Sequence, residues 1–187
     1  MITHLPEKYK KEVVSAMREK FGYKNNLAVP KIEKVVVNTS FGREIAGKTS
    51  EEQKKIQDTI LEALSLICGQ RAILTKAKKS ISGFKLRKGM PVGVMVTLRG
   101  KKMTDFLERL IHLALPRSRD FRGIDSKSVD KSGNLTIAIR EHIAFPEILP
   151  ERAKNIFGLE ITVVTTAKTR EEGLGLLKLL GFPIKNE

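Results

Sequence analysis

Val92-Gly-Val-Met-Val-Thr-Leu-Arg99 decides the fold. Its period is two: Val92, Val94, Val96 and Leu98 fall on one face of an extended strand, and Gly93, Met95, Thr97 and Arg99 on the other. One face suits a core, while the other is small and polar and ends in a guanidinium. Immediately downstream the period changes to a helical one. Met103, Phe106, Leu107, Leu110 and Ala114 form a stripe that begins at Lys101 and stops at Pro116. A strand with one free face, followed by a helix able to cover the other, predicts an α+β layer.

The rest of the chain repeats this theme. Leu135, Ile137 and Ile139 alternate with Thr136, Ala138 and Arg140; Leu159, Ile161, Val163 and Thr165 alternate with Glu160, Thr162, Val164 and Thr166. Residues 31–41 form a strand whose block Val35-Val36-Val37 passes into Asn38, Thr39 and Ser40, and residues 71–75 form a short one. Helices are predicted over residues 6–20, with Tyr9, Val13, Met17 and Phe21 inward, and from a capping box at Ser50 and Gln53. The second buries Ile56, Ile60, Leu64 and Ile67 before Gly69 stops it. Thr169 and Glu172 cap a last helix through Leu174, Leu177 and Leu180. Residues 117–133 and 141–158 read as irregular connections. The pattern predicts a single α+β domain over residues 1–187: a mostly antiparallel sheet, helices packed on one face, and the other face open.

Charge is distributed unevenly over this frame. The formal excess is +14, and residues 63–104 contain no Asp or Glu but ten cations, among them Arg71, Arg99, Lys101 and Lys102. Six lie at Lys76, Lys78, Lys79, Lys85, Arg87 and Lys88, within residues 76–91, which read as a long projecting loop interrupted by glycines and serines. Such a one-sided run repels itself unless a polyanion neutralises it, and nucleic acid is the leading partner class. An anionic membrane is disfavoured, because no helix joins a broad cationic face to a bulky apolar one. No segment approaches a spanning helix and residues 1–7 lack an apolar signal core, so a soluble cytoplasmic protein is expected.

Catalytic signals are few. The lone Cys68 excludes an internal disulfide and ends an apolar helical stripe, as a buried small residue would; His4, His112 and His142 lack metal-ligand spacing, so no metal or cofactor is expected. Gly42-Arg-Glu-Ile-Ala-Gly-Lys48-Thr49 matches the phosphate-loop pattern G-x-x-x-x-G-K-[ST] between a strand and a helix, which makes a P-loop nucleotide-binding protein the alternative reading. Against it, the strands end in Thr97-Leu-Arg99, Ile139-Arg140 and Thr165-Thr166, with no Asp to hold magnesium. The RRM aromatic signature is missing too, and Phe84 is the one aromatic in the basic loop.

Several ordered motifs resemble a known family. Leu64-Ser-Leu-Ile-Cys-Gly-Gln-Arg-Ala-Ile-Leu-Thr-Lys-Ala-Lys-Lys-Ser80, Gly83-Phe-Lys-Leu-Arg-Lys-Gly-Met-Pro91 and Val96-Thr-Leu-Arg-Gly100 resemble the bacterial form of the large ribosomal subunit protein five family, which binds 5S rRNA. Pro116-Arg-Ser-Arg-Asp-Phe-Arg-Gly123 and Arg140-Glu-His-Ile-Ala-Phe-Pro-Glu-Ile148 extend the likeness over essentially the whole chain. The resemblance implies a non-enzymatic component of the central protuberance. It implies 5S rRNA contacts at Asn38, Gln70, Thr75, Thr97 and Arg99. Lys76, Lys78, Lys79, Phe84, Lys85, Arg87 and Lys88 would then reach large-subunit rRNA and P-site tRNA. It further implies a bridge to a small-subunit head protein, with no obligate homo-oligomer.

Overall fold

The computed structural model describes residues 4–149, 151 and 155–185. The expected domain 1–187 and connection 141–158 include residues 1–3, 150, 152–154 and 186–187, which lie outside the described residues.

Five strands, β1 (Ile32–Ser40), β2 (Ile73–Lys76), β3 (Pro91–Leu98), β4 (Leu135–Ile139) and β5 (Leu159–Thr165), form one sheet in the order β2-β3-β1-β5-β4, and every neighbouring pair is antiparallel. The β-branched β1 is thus central. Its Val35 and Val37 stand opposite Leu98 and Val96 of β3 and Val163 and Ile161 of β5, and all six are buried. With Leu135, Ile137 and Ile139 of β4 they make the sheet's half of the core.

The helices supply the other half. Helix α1 (residues 5–21) widens into a π-type turn at Tyr9–Val13 and buries Val13 and Met17; α2 (Ser50–Cys68) buries Ile56, Ile60, Leu64 and Ile67, as its spacing predicts. Helix α3 (residues 100–117) carries a second π-type turn at Leu110–Ala114, and α4 (Arg170–Leu180) closes the layer with Leu176 and Leu177 fully buried.

Two local expectations are corrected. The cap of α2 is Thr49 with Glu52, not Ser50 with Gln53: the Glu52 carboxylate accepts from both the backbone N–H and the hydroxyl of Thr49, each at 2.9 Å. The Thr49 backbone N–H, with its hydroxyl second, holds the Glu52 carboxyl below the usual range. Thr39 does not extend the polar end of β1 outward; it is buried and donates to the Gly158 carbonyl at 2.7 Å. Along α4, Leu177 and Leu180 are buried, Leu174 packs partly buried against the core, and Leu176 is fully buried as well.

Candidate nucleic-acid interface

Strand alternation places on the uncovered sheet face a set of cross-strand rows. Thr97, Val36, Thr162 and Thr136 form one, running through β3, β1, β5 and β4; Ile73, Met95, Asn38, Glu160 and Ala138 form the next, across all five strands; Thr75, Gly93 and Ser40 form the third. Hydroxyls, an amide and small side chains dominate. Glu160 is the acid in these rows, and Ile73, 58% exposed, is an apolar spot beside them. Such a surface offers hydrogen bonds and close approach rather than a catalytic pocket.

Four of the five residues expected to face 5S rRNA, Asn38, Thr75, Thr97 and Arg99, converge here, and Gln70 borders them. Asn38 and Thr97 are diagonal neighbours on β1 and β3, and Arg99 directly follows the end of β3, exposed and extended (φ −140°, ψ 163°) as the N-cap of α3. Thr75 hangs over Gly93. A Cβ on that glycine would stand 2.8 Å from the Thr75 hydroxyl and 2.7 Å from the Thr39 carbonyl oxygen, so only glycine lets the three strands close. Gln70 sits where α2 turns into β2, and its side-chain amide donates to the Thr97 carbonyl at 3.1 Å. Nearby, the Lys102 ammonium donates to the Gly69 carbonyl at 3.0 Å and caps the end of α2.

Residues 76–91 are not a loop without structure of its own. Ala77 donates its N–H to Met90 (2.8 Å), Gly89 donates to Ala77 (2.9 Å), and Ile81 and Leu86 exchange a further pair of bonds at 3.0 and 3.2 Å. A 3-10 turn at Ser82–Phe84 forms the tip, closed by Lys85 in the left-handed region at φ 53°. The arm is therefore a hairpin extension of β2 and β3. Lys76, Lys78, Lys79, Lys85, Arg87 and Lys88 are all exposed on it, and Phe84 at the tip is 67% exposed. Lys85 leans toward the 42–49 connection, its ammonium 4.0 Å from where a Gly47 Cβ would stand.

That connection does not form a phosphate cradle. The N–H groups of Glu44 and Ile45 donate to the Phe41 carbonyl, that of Lys48 to Ile45, and that of Thr49 to the Glu52 carboxylate. The Gln53 amide also donates to the Lys48 carbonyl at 2.9 Å. A phosphate loop needs its N–H groups free and its Thr hydroxyl available to magnesium, and here four of those N–H groups and the Thr49 hydroxyl are already engaged. Cys68 is equally unsuited to nucleophilic work: it is 2% exposed, and burial pushes its thiol up to about 12.

The fold and surface define a class: a basic α+β protein with one open polar sheet face, a cationic hairpin arm and no constellation of groups for catalysis among the described residues. Comparison with known proteins names the family. The model described as ribosomal protein L5 matches residues 25–87, and the one described as the ribosomal L5P family C-terminus matches residues 91–184. The large ribosomal subunit protein uL5 of Desulforapulum autotrophicum is 52% identical over 185 residues, covering 99% of this chain and 100% of its own. That of Geobacter sulfurreducens is 50% identical over 185 residues with the same coverage, and that of a Thermoanaerobacter species is 48% identical over 182, covering 97% and 98%. The chain belongs to the ribosomal protein L5 family, whose members are ribosomal components and not enzymes. No helix among the described residues is long and apolar enough to cross a membrane.

Sequence reasoning named only part of the polar surface. Ser40, Thr136, Thr162 and Arg140 share it with the expected residues, and the signal that finds them is the same period-two alternation.

Proposed function

We propose that the chain is a component of the large ribosomal subunit that binds 5S rRNA with its open sheet face and carries a second RNA contact on its arm. The observation that carries this reading is the convergence of Asn38, Thr75, Thr97 and Arg99 on one uncovered face, with Gln70 at its margin and an acid-free cationic hairpin leaving the same sheet. Hydroxyl and amide groups suit ribose 2′-OH and base edges, while guanidinium and ammonium groups suit phosphates. On this reading the chain works as one domain, without an obligate partner copy, in the cytoplasm. Lys76, Lys78, Lys79, Phe84, Lys85, Arg87 and Lys88 reach large-subunit rRNA and the P-site tRNA, and another surface bridges to a small-subunit head protein.

The deciding experiment is titration of 5S rRNA against the purified chain over a range of salt. Affinity should fall with a log-log slope of about 0.7–0.9 per phosphate neutralised. Arg99→Ala or Asn38→Ala should weaken this binding. Neutralising Lys78, Lys79 and Lys85 together should spare it and impair subunit assembly or tRNA handling. A salt-independent curve would remove the electrostatic basis, and loss of 5S binding in the arm variant would refute the division of labour.

A further inference from the structure

The polar face does not stop at β4. Arg140 follows Thr136 and Ala138 at the period-two spacing of that strand, and like them it is exposed. It borders two hollows. One, of about 340 Å³, runs across the strand ends between Asn38, Ser40, Ala138, Arg140 and Glu160. The other, of about 480 Å³, is lined by Arg117, Ser118, Arg119, Asp120, Arg140 and Glu141. Arg140 thus joins the face that holds Asn38 to an arginine-lined hollow beyond the β4 edge, whereas the cationic arm leaves the β2 side of the sheet.

The charges in the second hollow are unequally engaged. Arg119 pairs with Glu141 at 3.4 Å. Arg117 and Arg140 have no carboxylate within ion-pair distance among the described residues, and Asp120, in the left-handed region at φ 55°, holds neither of them. Two unpaired guanidinium groups bordering one hollow present planar donor forks, the geometry that phosphodiester oxygens accept in pairs. Glu160 stands between Asn38 and Ala138 on the shared row. A carboxylate there repels phosphate but accepts from a ribose hydroxyl or a base amine, so the RNA backbone must pass to either side of it.

Building on the 5S rRNA reading above, we propose that Arg117 and Arg140 form a second phosphate-holding station for the RNA bound on the sheet. The RNA then crosses the face from the Thr97 and Arg99 end of β3 to the far edge at β4. The crossing spans three strand spacings, about 14 Å, which keeps the two stations on separate phosphates.

The test is the salt dependence of 5S rRNA binding by the full chain and by the Arg117→Gln, Arg140→Gln double variant, with urea midpoints compared to check folding. Loss of two phosphate contacts should lower the log-log slope by about 1.4–1.8. An unchanged slope in a folded variant overturns the proposal while leaving the wild-type 5S reading intact; failure of the wild type to bind 5S rRNA overturns both. A second measurement serves if the variant does not fold. Because Cys68 is buried, Ser118→Cys offers one accessible thiol for a tethered hydroxyl-radical probe. Cleavage of bound 5S rRNA from that position supports the station. An uncut RNA in a complex that still forms refutes it.

Discussion

The side-chain amide of Gln70 donates to the main-chain carbonyl of Thr97 at 3.1 Å, so two residues expected to meet RNA are tied to each other. Gln70 acts first as a positioning group: it holds the start of β2 against the end of β3, and with it the strand that carries Thr97 and Arg99. Gln70→Ala should cost about 1 kcal/mol of stability as well as weakening 5S rRNA binding. Gln70→Glu, which cannot donate to a carbonyl, should do no better. Urea denaturation read beside an RNA titration separates the two roles, because a pure RNA contact would leave stability untouched.

Gly93 is the tightest point of the open face. In Gly93→Ala the new methyl meets the Thr39 carbonyl at 2.7 Å and the Thr75 hydroxyl at 2.8 Å. Strands must part to admit it, at about 1–3 kcal/mol. Thermal unfolding should show the loss, and the variant should bind 5S rRNA less tightly because Thr75 is displaced.

Arg109 and Glu147, on α3 and in the connection after β4, form a mostly buried ion pair, and the same guanidinium donates to the Ile67 carbonyl at 3.1 Å. It thereby ties the end of α2 to both. Arg109→Ala leaves a carboxylate and a helix-terminal carbonyl without their donor and should cost about 2 kcal/mol. Replacing both partners, Arg109→Met with Glu147→Leu, should recover part of that loss. Equal destabilisation by the single and double variants in denaturant melts would argue against this account.

His142 is buried, stacked on Phe157 at 3.9 Å between ring centroids, and its Nδ1 accepts the Phe157 N–H at 3.3 Å. Burial holds its pKa below the ordinary 6.5. The unfolded chain therefore binds this proton more readily than the folded one, and the contribution is intact above the ordinary histidine value. It is lost as pH falls from there toward the depressed folded value, by at most about 1.4 kcal/mol per pH unit. His142→Asn keeps an acceptor but does not titrate. The difference in stability between about pH 7.5 and about pH 5.5 should be smaller in that variant than in the wild type.

Much of this was legible from side-chain periodicity. The alternation of β3, β4 and β5 is local and decides which groups share a face, so the sequence alone assigns Thr97 and Arg99 to the open side. Thr39 could not: its neighbours Asn38 and Ser40 are as polar as it is, and the Gly158 carbonyl that receives its hydroxyl lies 119 positions away. The α2 cap was ambiguous for a different reason. Thr49-Ser50-Glu51-Glu52-Gln53 contains two overlapping capping boxes, and the charged acceptor prevails because a carboxylate binds the N-terminal donors more strongly than an amide. The arm reads as a loop in the sequence because the four residues between Ile81 and Leu86, with one glycine, carry no turn signature of the usual hairpin kind.

The inner ladder between Ile81 and Leu86 bears on how two RNAs could be arranged in space. A floppy basic segment would let its target drift with respect to whatever lies on the sheet. A hairpin already folded onto β2 and β3 behaves as a spacer of fixed length, so an RNA held at Phe84 and an RNA held at Asn38 would inherit their separation and relative angle from the protein. Lengthening or softening the hairpin would then change alignment before it changed affinity.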